Sequence, residues 1–387
     1  MKIVIAPDSF KESLTSLEAA RAIEKAFREV FPDAELIKVP MADGGEGTVQ
    51  SLVDATGGRI VTKVVTGPLG LPVEAFFGIS GDGKTAVIEM AAASGLHLVP
   101  PDQRNPLITT TQGTGELMIE AINHGVSHII LGIGGSATND GGAGMVQALG
   151  GRLLDREGKE LGPGGGSLDQ LAAVDLSGLD SQLYQIDIEV ACDVDNPLTG
   201  PRGASAIFGP QKGATPEMID VLDRNLGHYA SVIERQLGKS VRDIPGAGAA
   251  GGLGAGLLAF LPVRLKRGVE IVLEAVELEK YVQGASLVIT GEGKIDGQTA
   301  YGKTPIGVAS VAKKYGIPVL AIAGNVSEDS AAVYEHGIDC VFSIVPGVLS
   351  LADAFENAFN YMYRTSYNLA KFWRAVSKQK LDAPYQS

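Results

Sequence analysis

The run Ala285-Ser-Leu-Val-Ile-Thr290-Gly-Glu-Gly-Lys294-Ile-Asp296-Gly297-Gln-Thr-Ala-Tyr-Gly302-Lys303-Thr304-Pro305 decides how this chain is read. It opens as an apolar strand (285–290) and passes through a glycine-rich loop. It then enters Pro305-Ile-Gly-Val-Ala-Ser-Val-Ala-Lys-Lys314, a helix pattern (305–315) with proline at the first position, where the missing N–H costs nothing. Glycines let backbone N–H groups close on an anion, the helix start adds partial positive charge, and Lys294 and Lys303 add full charges. The chemistry suggested is that of phosphate.

Gly297 to Thr304 also matches the spacing G-x-x-x-x-G-K-[ST] literally. A P-loop strand runs almost directly into its first glycine, whereas here Gly291-Glu292-Gly293-Lys294-Ile295-Asp296 intervenes, with two carboxylates. The next strand, Ile317 to Ala323, ends in Gly324-Asn325 where a P-loop protein carries a metal-binding Asp. A phosphate-handling loop outside the P-loop class fits better.

Working outward, Lys2-Ile-Val-Ile-Ala6 is a strand, and Thr15-Ser-Leu-Glu18 is a capping box opening an amphipathic helix over 15–31. Glu35 to Val39 is a second strand, followed by a helix through Val53. This β-α-β-α order belongs to a parallel sheet, so the loops Asp8–Ser13 and Asp43–Gly47 fall at strand C-terminal ends, where such sheets bind ligands. From about Val61 to Glu89 the pattern shifts to short alternating strands with Gly/Pro turns. Further strands are expected at His128–Leu131, Ile186–Cys192 and Cys340–Ile344, with helices near 115–123, 216–236, 253–261 and 351–376. The last residues, from about Lys378, read as frayed. The fold expected is α/β. A Rossmann-like parallel-sheet domain is built from both chain ends (1–65 plus 268–387), with an inserted α/β domain (66–267) and the active site in the cleft between them.

Composition narrows the function. The 51 glycines in 387 residues, against roughly 27 from average usage of about 7%, indicate many close backbone approaches. A formal charge of −13 without a dense Lys/Arg cluster argues against a nucleic-acid partner. An anionic substrate would therefore need a local positive pocket. The two cysteines, Cys192 and Cys340, form no metal or redox motif and read as buried free thiols of a reducing compartment. No signal peptide is seen, and the longest apolar stretch, near Leu253–Val263, is too short for a membrane span; a cytoplasmic location is expected.

Gly246-Ala-Gly248-Ala-Ala-Gly251 matches G-x-G-x-x-G, but the charged, proline-bounded Val241–Pro245 precedes it instead of a central strand. Asp193 and Asp195, at i and i+2 after an apolar strand, have the pattern for a Mg²⁺ site, or for one metal ligand and one base. An Asx-type turn before Pro197 is the alternative. The five histidines show no ligand spacing, and Ser9 and Ser136 lack a nucleophile-elbow motif.

Taken together, several strings resemble the bacterial glycerate kinase family that makes 2-phosphoglycerate. They are Ile5-Ala-Pro-Asp8-Ser9-Phe10-Lys11, Met41-Ala-Asp43-Gly-Gly-Glu46-Gly-Thr48, Gly132-Ile-Gly-Gly-Ser136-Ala-Thr-Asn139-Asp140-Gly-Gly142, Asp193-Val-Asp195-Asn-Pro197, Phe208-Gly-Pro-Gln-Lys212-Gly, Gly291-Glu-Gly-Lys294-Ile-Asp296 and Gly302-Lys303-Thr304-Pro-Ile-Gly307. The match runs from end to end. It departs at Glu12, where the family commonly carries Gly. The resemblance implies ATP and a divalent cation (Mg²⁺) as cofactors and D-glycerate phosphorylated at its 2-hydroxyl. A kinase for another small hydroxy acid or polyol, or a non-catalytic nucleotide or sugar-acid sensor, is the alternative.

Phosphoryl transfer needs charge neutralisation, an in-line hydroxyl and a base. Gly291, Glu292, Gly293, Lys294, Asp296, Gly302 and Lys303 are expected to hold ATP, with Ser136 and Asn139 serving nucleotide or substrate. Asp193, Asp195, Asp8 and Lys11 are the catalytic candidates, with Asp193 and Asp195 as Mg²⁺ ligands. Ser9, Asp43, Arg202 and Lys212 are assigned to substrate, Arg202 or Lys11 pairing with the glycerate carboxylate.

Overall fold

Thr15 opens the first helix, Ser16–Val30, as its spacing predicts. Glu18 N donates to Thr15 Oγ1 at 3.2 Å and Thr15 N donates to Glu18 Oε2 at 2.9 Å, so two otherwise orphaned donors are satisfied. A computed structural model describes the chain through residue 382 and its side chains through residue 377; the backbone stays helical to Asp382, so the fraying expected from about Lys378 does not begin there, and the rest of that expectation lies outside the described residues.

The strands, in chain order, are β1 (Lys2–Pro7), β2 (Glu35–Lys38), β3 (Arg59–Thr66), β4 (Pro72–Ile79), β5 (Thr85–Glu89), β6 (His128–Gly132), β7 (Arg152–Leu154), β8 (Ala173–Asp175), β9 (Asp187–Ala191), β10 (Val263–Lys266), β11 (Leu287–Ile295), β12 (Val319–Val326) and β13 (Cys340–Ser343). The chain divides into two compact units, Met1–Asp43 with Val272–Ser387, and Gly44–Ile271.

The first unit carries an all-parallel sheet, ordered β13-β12-β11-β1-β2, so both chain ends build it, as expected. Ile3, Ile5, Leu287, Ile289, Leu320 and Ile322 form one core with the helices Ser16–Val30 and Ala358–Asp382. Val4, Val288 and Ala321, alternating with them, are also buried. Burial on both faces explains why these strands read as continuous apolar runs.

The second unit holds a six-stranded sheet, β10-β9-β6-β5-β4-β3, parallel from β10 to β5 and antiparallel beyond, plus the small β7–β8 pair. Residues 44–65 belong to this unit rather than the first. β3 pairs with β4 along its whole length, and the helix Thr48–Thr56 is held by Glu89, whose Oε1 accepts from Val49 N at 2.9 Å.

Three expectations change. β11 continues through Gly291-Glu292-Gly293 to Ile295 in register with β12, so that segment is strand and the loop begins only at Asp296. A Cβ on Gly291 would lie 2.0 Å from Ile322 O, so the glycine permits the pairing. The helix expected over 351–376 is two, Leu351–Glu356 and Ala358–Asp382. Cys340 is exposed on the edge strand β13 and Cys192 is half-buried; both are free. No described helix is long and apolar enough to cross a membrane.

Candidate active site

The strand order of the first unit reverses between β1 and β11. From β1 the chain steps to β2 on one side, and from β11 to β12 and β13 on the other. Open parallel sheets bind ligands beyond the strand C-termini at such a switch point. Asp8 follows β1, Glu292 lies on β11, and Asp8 N donates to Gly291 O at 2.8 Å, so the two carboxylates stand on neighbouring strands at the crevice. Asp43 follows β2, whose end is tied back by Met41 N donating to Pro7 O at 3.0 Å.

Asp8 Oδ2 accepts from Thr304 Oγ1 at 2.5 Å and Oδ1 accepts from Ser9 N at 2.6 Å. Burial, and then the charge of Asp43, push its pKa to about 6 against these hydrogen bonds and Lys11. Glu292 Oε1 accepts from Thr299 Oγ1 at 2.8 Å, and Oε2 lies 3.9 Å from Lys303 Nζ. Burial raises Glu292 to about 7; Thr299 and Lys303 oppose the rise, while Asp8 and Asp43 add to it. Carboxylates raised towards neutrality at a ligand-binding crevice are what proton-transfer chemistry uses.

Lys303 is the N-cap residue of the helix Thr304–Lys313, and Gly302 before it turns at φ 97°. Lys303 therefore sits at a positive helix end beside Glu292. Lys294 instead faces Asp296, Nζ to Oδ2 2.9 Å, which holds that carboxyl below its usual range. Lys11 is exposed in the turn Phe10–Leu14, where Glu12 adopts φ 63°, the left-handed region natural to Gly.

In the second unit the loop after β6 is organised by Asp140. Its Oδ2 accepts from Thr111 N and Oγ1, both at 2.8 Å, and from Gly144 N at 3.2 Å, while Oδ1 accepts from Gly142 N at 3.2 Å. Asn139 is fully buried and donates to Ser205 Oγ at 3.0 Å. Lys212 is also buried, donating to Ser136 Oγ at 2.7 Å and Thr138 O at 2.6 Å, and burial lowers its pKa to about 7. Neither Asn139 nor Lys212 is placed to meet a ligand by direct exposure. The glycine run 246–251 packs against backbone instead: a Cβ on Gly251 would lie 2.0 Å from Thr138 O.

Asp193 and Asp195 follow β9 on an exposed loop. Asp193 Oδ1 accepts from Gly268 N at 3.0 Å, and Asp195 Oδ1 lies 3.0 Å from Arg202 Nη2. Among the described residues no group of three or more His, Cys, Asp or Glu is arranged to hold a metal ion. Magnesium does not require one: it binds through one or two carboxylates with phosphates and waters, and the Asp193–Asp195 oxygens are donors of that kind.

The glycerate kinase family model matches residues 3–374. The chain belongs to the glycerate kinase family. It is 68% identical to a glycerate kinase of Bacillus subtilis (strain 168) and 60% identical to a glycerate 2-kinase of Escherichia coli (strain K12), in each case over 96% of this chain and 97% of the relative. A crystal structure from Salmonella typhimurium LT2, assigned as glycerate kinase 2, superposes with a TM-score of 0.91 at 58% identity, covering 98% of this chain and 99% of that one. As a member of a kinase family the protein is an enzyme that transfers phosphate to an alcohol group.

Within this family framework, Thr304, Thr299 and Asp140 are the residues that sequence reasoning left without a role. Thr304 lay in the discounted Walker string, and its partner is 296 positions away.

Proposed function

We propose that this enzyme transfers the γ-phosphoryl group of ATP to the 2-hydroxyl of D-glycerate, giving 2-phospho-D-glycerate and ADP. The observation that carries this reading is the presence of Asp8 and Glu292 on neighbouring strands at the switch point of the first unit, with Lys303 at a helix start beside Glu292. Carboxylates with pKa values of about 6 and 7 are matched to accepting a hydroxyl proton near neutral pH. In the transfer, the substrate oxygen bonds to phosphorus, the bond to the β,γ-bridging oxygen breaks, and the hydroxyl proton passes to Asp8. Lys303 and Lys294, with the Gly291–Gly302 segment, serve the phosphates; Ser9, Asp43 and Lys11 serve the substrate side. Asp193 and Asp195 would hold a magnesium ion, which would supply charge neutralisation on the phosphates. Arg202 offers a planar fork for the glycerate carboxylate once released from Asp195.

A non-catalytic sensor has no use for buried carboxylates tuned towards neutrality. The test is ADP release with D-glycerate, tartronate, lactate and glycerol, each against a no-acceptor control. Release only with D-glycerate supports the proposal; equal release with glycerol, or none with any acceptor, rejects it.

A further inference from the structure

Lys212 is a lysine only 1% exposed, beneath the loop that follows β6. Lysine is almost never fully buried without a partner, so its surroundings carry information. Asp140 contributes nearby negative charge, yet both its oxygens are engaged by Thr111, Gly142 and Gly144. The ammonium donates instead to Ser136 Oγ at 2.7 Å and Thr138 O at 2.6 Å.

This arrangement has a directional consequence. In its protonated form Lys212 has donors and no acceptor, so Ser136 Oγ then accepts from it and the seryl O–H points elsewhere. Ser136 is 7% exposed and follows Gly134 and Gly135, both exposed. Its hydroxyl is thus held by the buried lysine, next in the chain to the exposed Gly134 and Gly135. A hydroxyl polarised from behind by an ammonium is a donor suited to an anion.

We propose that Ser136 donates its hydroxyl hydrogen to the carboxylate of the hydroxy-acid substrate, and that Lys212 is a positioning residue that fixes this donor from beneath. This rests on the reading of the enzyme as a D-glycerate kinase, and it assigns the loop after β6 to the acid rather than to the nucleotide. Ser136 thereby helps separate hydroxy acids from uncharged polyols, because glycerol has no carboxylate to accept the bond.

The test is steady-state kinetics of Ser136→Ala, Ser136→Thr, Lys212→Met and the double variant Ser136→Ala/Lys212→Met, with Tm recorded for each. Losing a hydrogen bond to a charged group corresponds to about 10- to 100-fold in affinity. Ser136→Ala should raise KM for D-glycerate by that factor, with kcat and KM for ATP changed less than about threefold. Ser136→Thr, which keeps a hydroxyl, should recover most of the loss. The double variant should be no worse than Ser136→Ala, since Lys212 acts through the hydroxyl. An unchanged KM for glycerate in Ser136→Ala, a rise confined to KM for ATP, or multiplicative effects in the double variant would overturn the proposal. If Lys212→Met fails to fold, the two Ser136 variants decide alone. Wild-type protein without glycerate-dependent turnover overturns the kinase reading and this inference together, whereas an active wild type with an indifferent Ser136→Ala overturns only the inference.

Discussion

Thr304 Oγ1 donates to Asp8 Oδ2 at 2.5 Å, joining residues 296 positions apart in the chain. The bond fastens the first residue of the helix Thr304–Lys313 to the end of β1, on the strand next to Glu292. It links the phosphate-type helix start to the carboxylate pair within one unit. If Asp8 takes the substrate proton, Asp8→Asn keeps the Thr304 contact geometry and removes the base. Turnover should fall by about 100-fold or more at unchanged fold, the scale of general-base catalysis; stopped-time ADP assays check it.

Glu292 should limit stability where it serves chemistry. Its folded-state pKa is raised from 4.5 to about 7, and that of Asp8 from 3.8 to about 6. Between the ordinary and raised values the folded protein binds more protons than the unfolded chain, so stability falls as pH rises through this window and levels off above it. Glu292→Gln should therefore raise Tm relative to wild type at pH 8, by about 1–3 kcal/mol of stability, and much less at pH 4.5, while lowering turnover. Denaturation scans at the two pH values read this directly.

Lys303→Ala should reduce turnover about 100-fold, as loss of a preorganised charge partner does. Lys294→Ala should cost less, because Asp296 already neutralises that ammonium at 2.9 Å. Comparable losses in both variants would show that Lys294 leaves Asp296 when the nucleotide binds.

Asp193→Asn and Asp195→Asn retain size and remove charge. If the loop after β9 holds magnesium, both should shift the Mg²⁺ concentration for half-maximal turnover upward, by about tenfold, with little change in Tm. Titrating Mg²⁺ at saturating ATP measures it, and unaltered Mg²⁺ dependence in both would move the metal to other ligands.

Glu12 occupies φ 63°, where an L-residue costs about 1–2 kcal/mol relative to glycine. Glu12→Gly should raise stability by about 1 kcal/mol after allowing for glycine's greater unfolded-state freedom, without a change in KM.

The sequence made the parallel strands legible because Lys2–Ala6 and Ala285–Thr290 are apolar runs, and it made Thr15 legible because a capping box is local. The unit boundary near Gly44 was hidden, since the partner that claims β3 is β4, a pairing that composition does not announce. Gly291–Gly293 reads as loop because glycines ordinarily break strands, but here Gly291 admits the neighbouring backbone at Ile322. The candidate residues Asp8, Asp43 and Glu292 were all named from strand-end positions. Their mutual electrostatics and the roles of Thr304 and Thr299 depend on contacts between distant segments. Lys212 is assigned to the substrate from its place in the Phe208–Gly213 string; its burial is a tertiary fact that the sequence does not carry.

Transfer of phosphate from ATP to the 2-hydroxyl of D-glycerate is tested most directly by coupling the reaction to enolase. Enolase dehydrates 2-phosphoglycerate and needs phosphoglycerate mutase before it can use the 3-isomer. A carboxylate held by fixed donors places the adjacent C2 hydroxyl better than the more rotatable C3 hydroxyl. Phosphoenolpyruvate is expected from D-glycerate, ATP, this enzyme and enolase alone. Phosphoenolpyruvate that forms only after mutase is added would contradict transfer to the 2-hydroxyl.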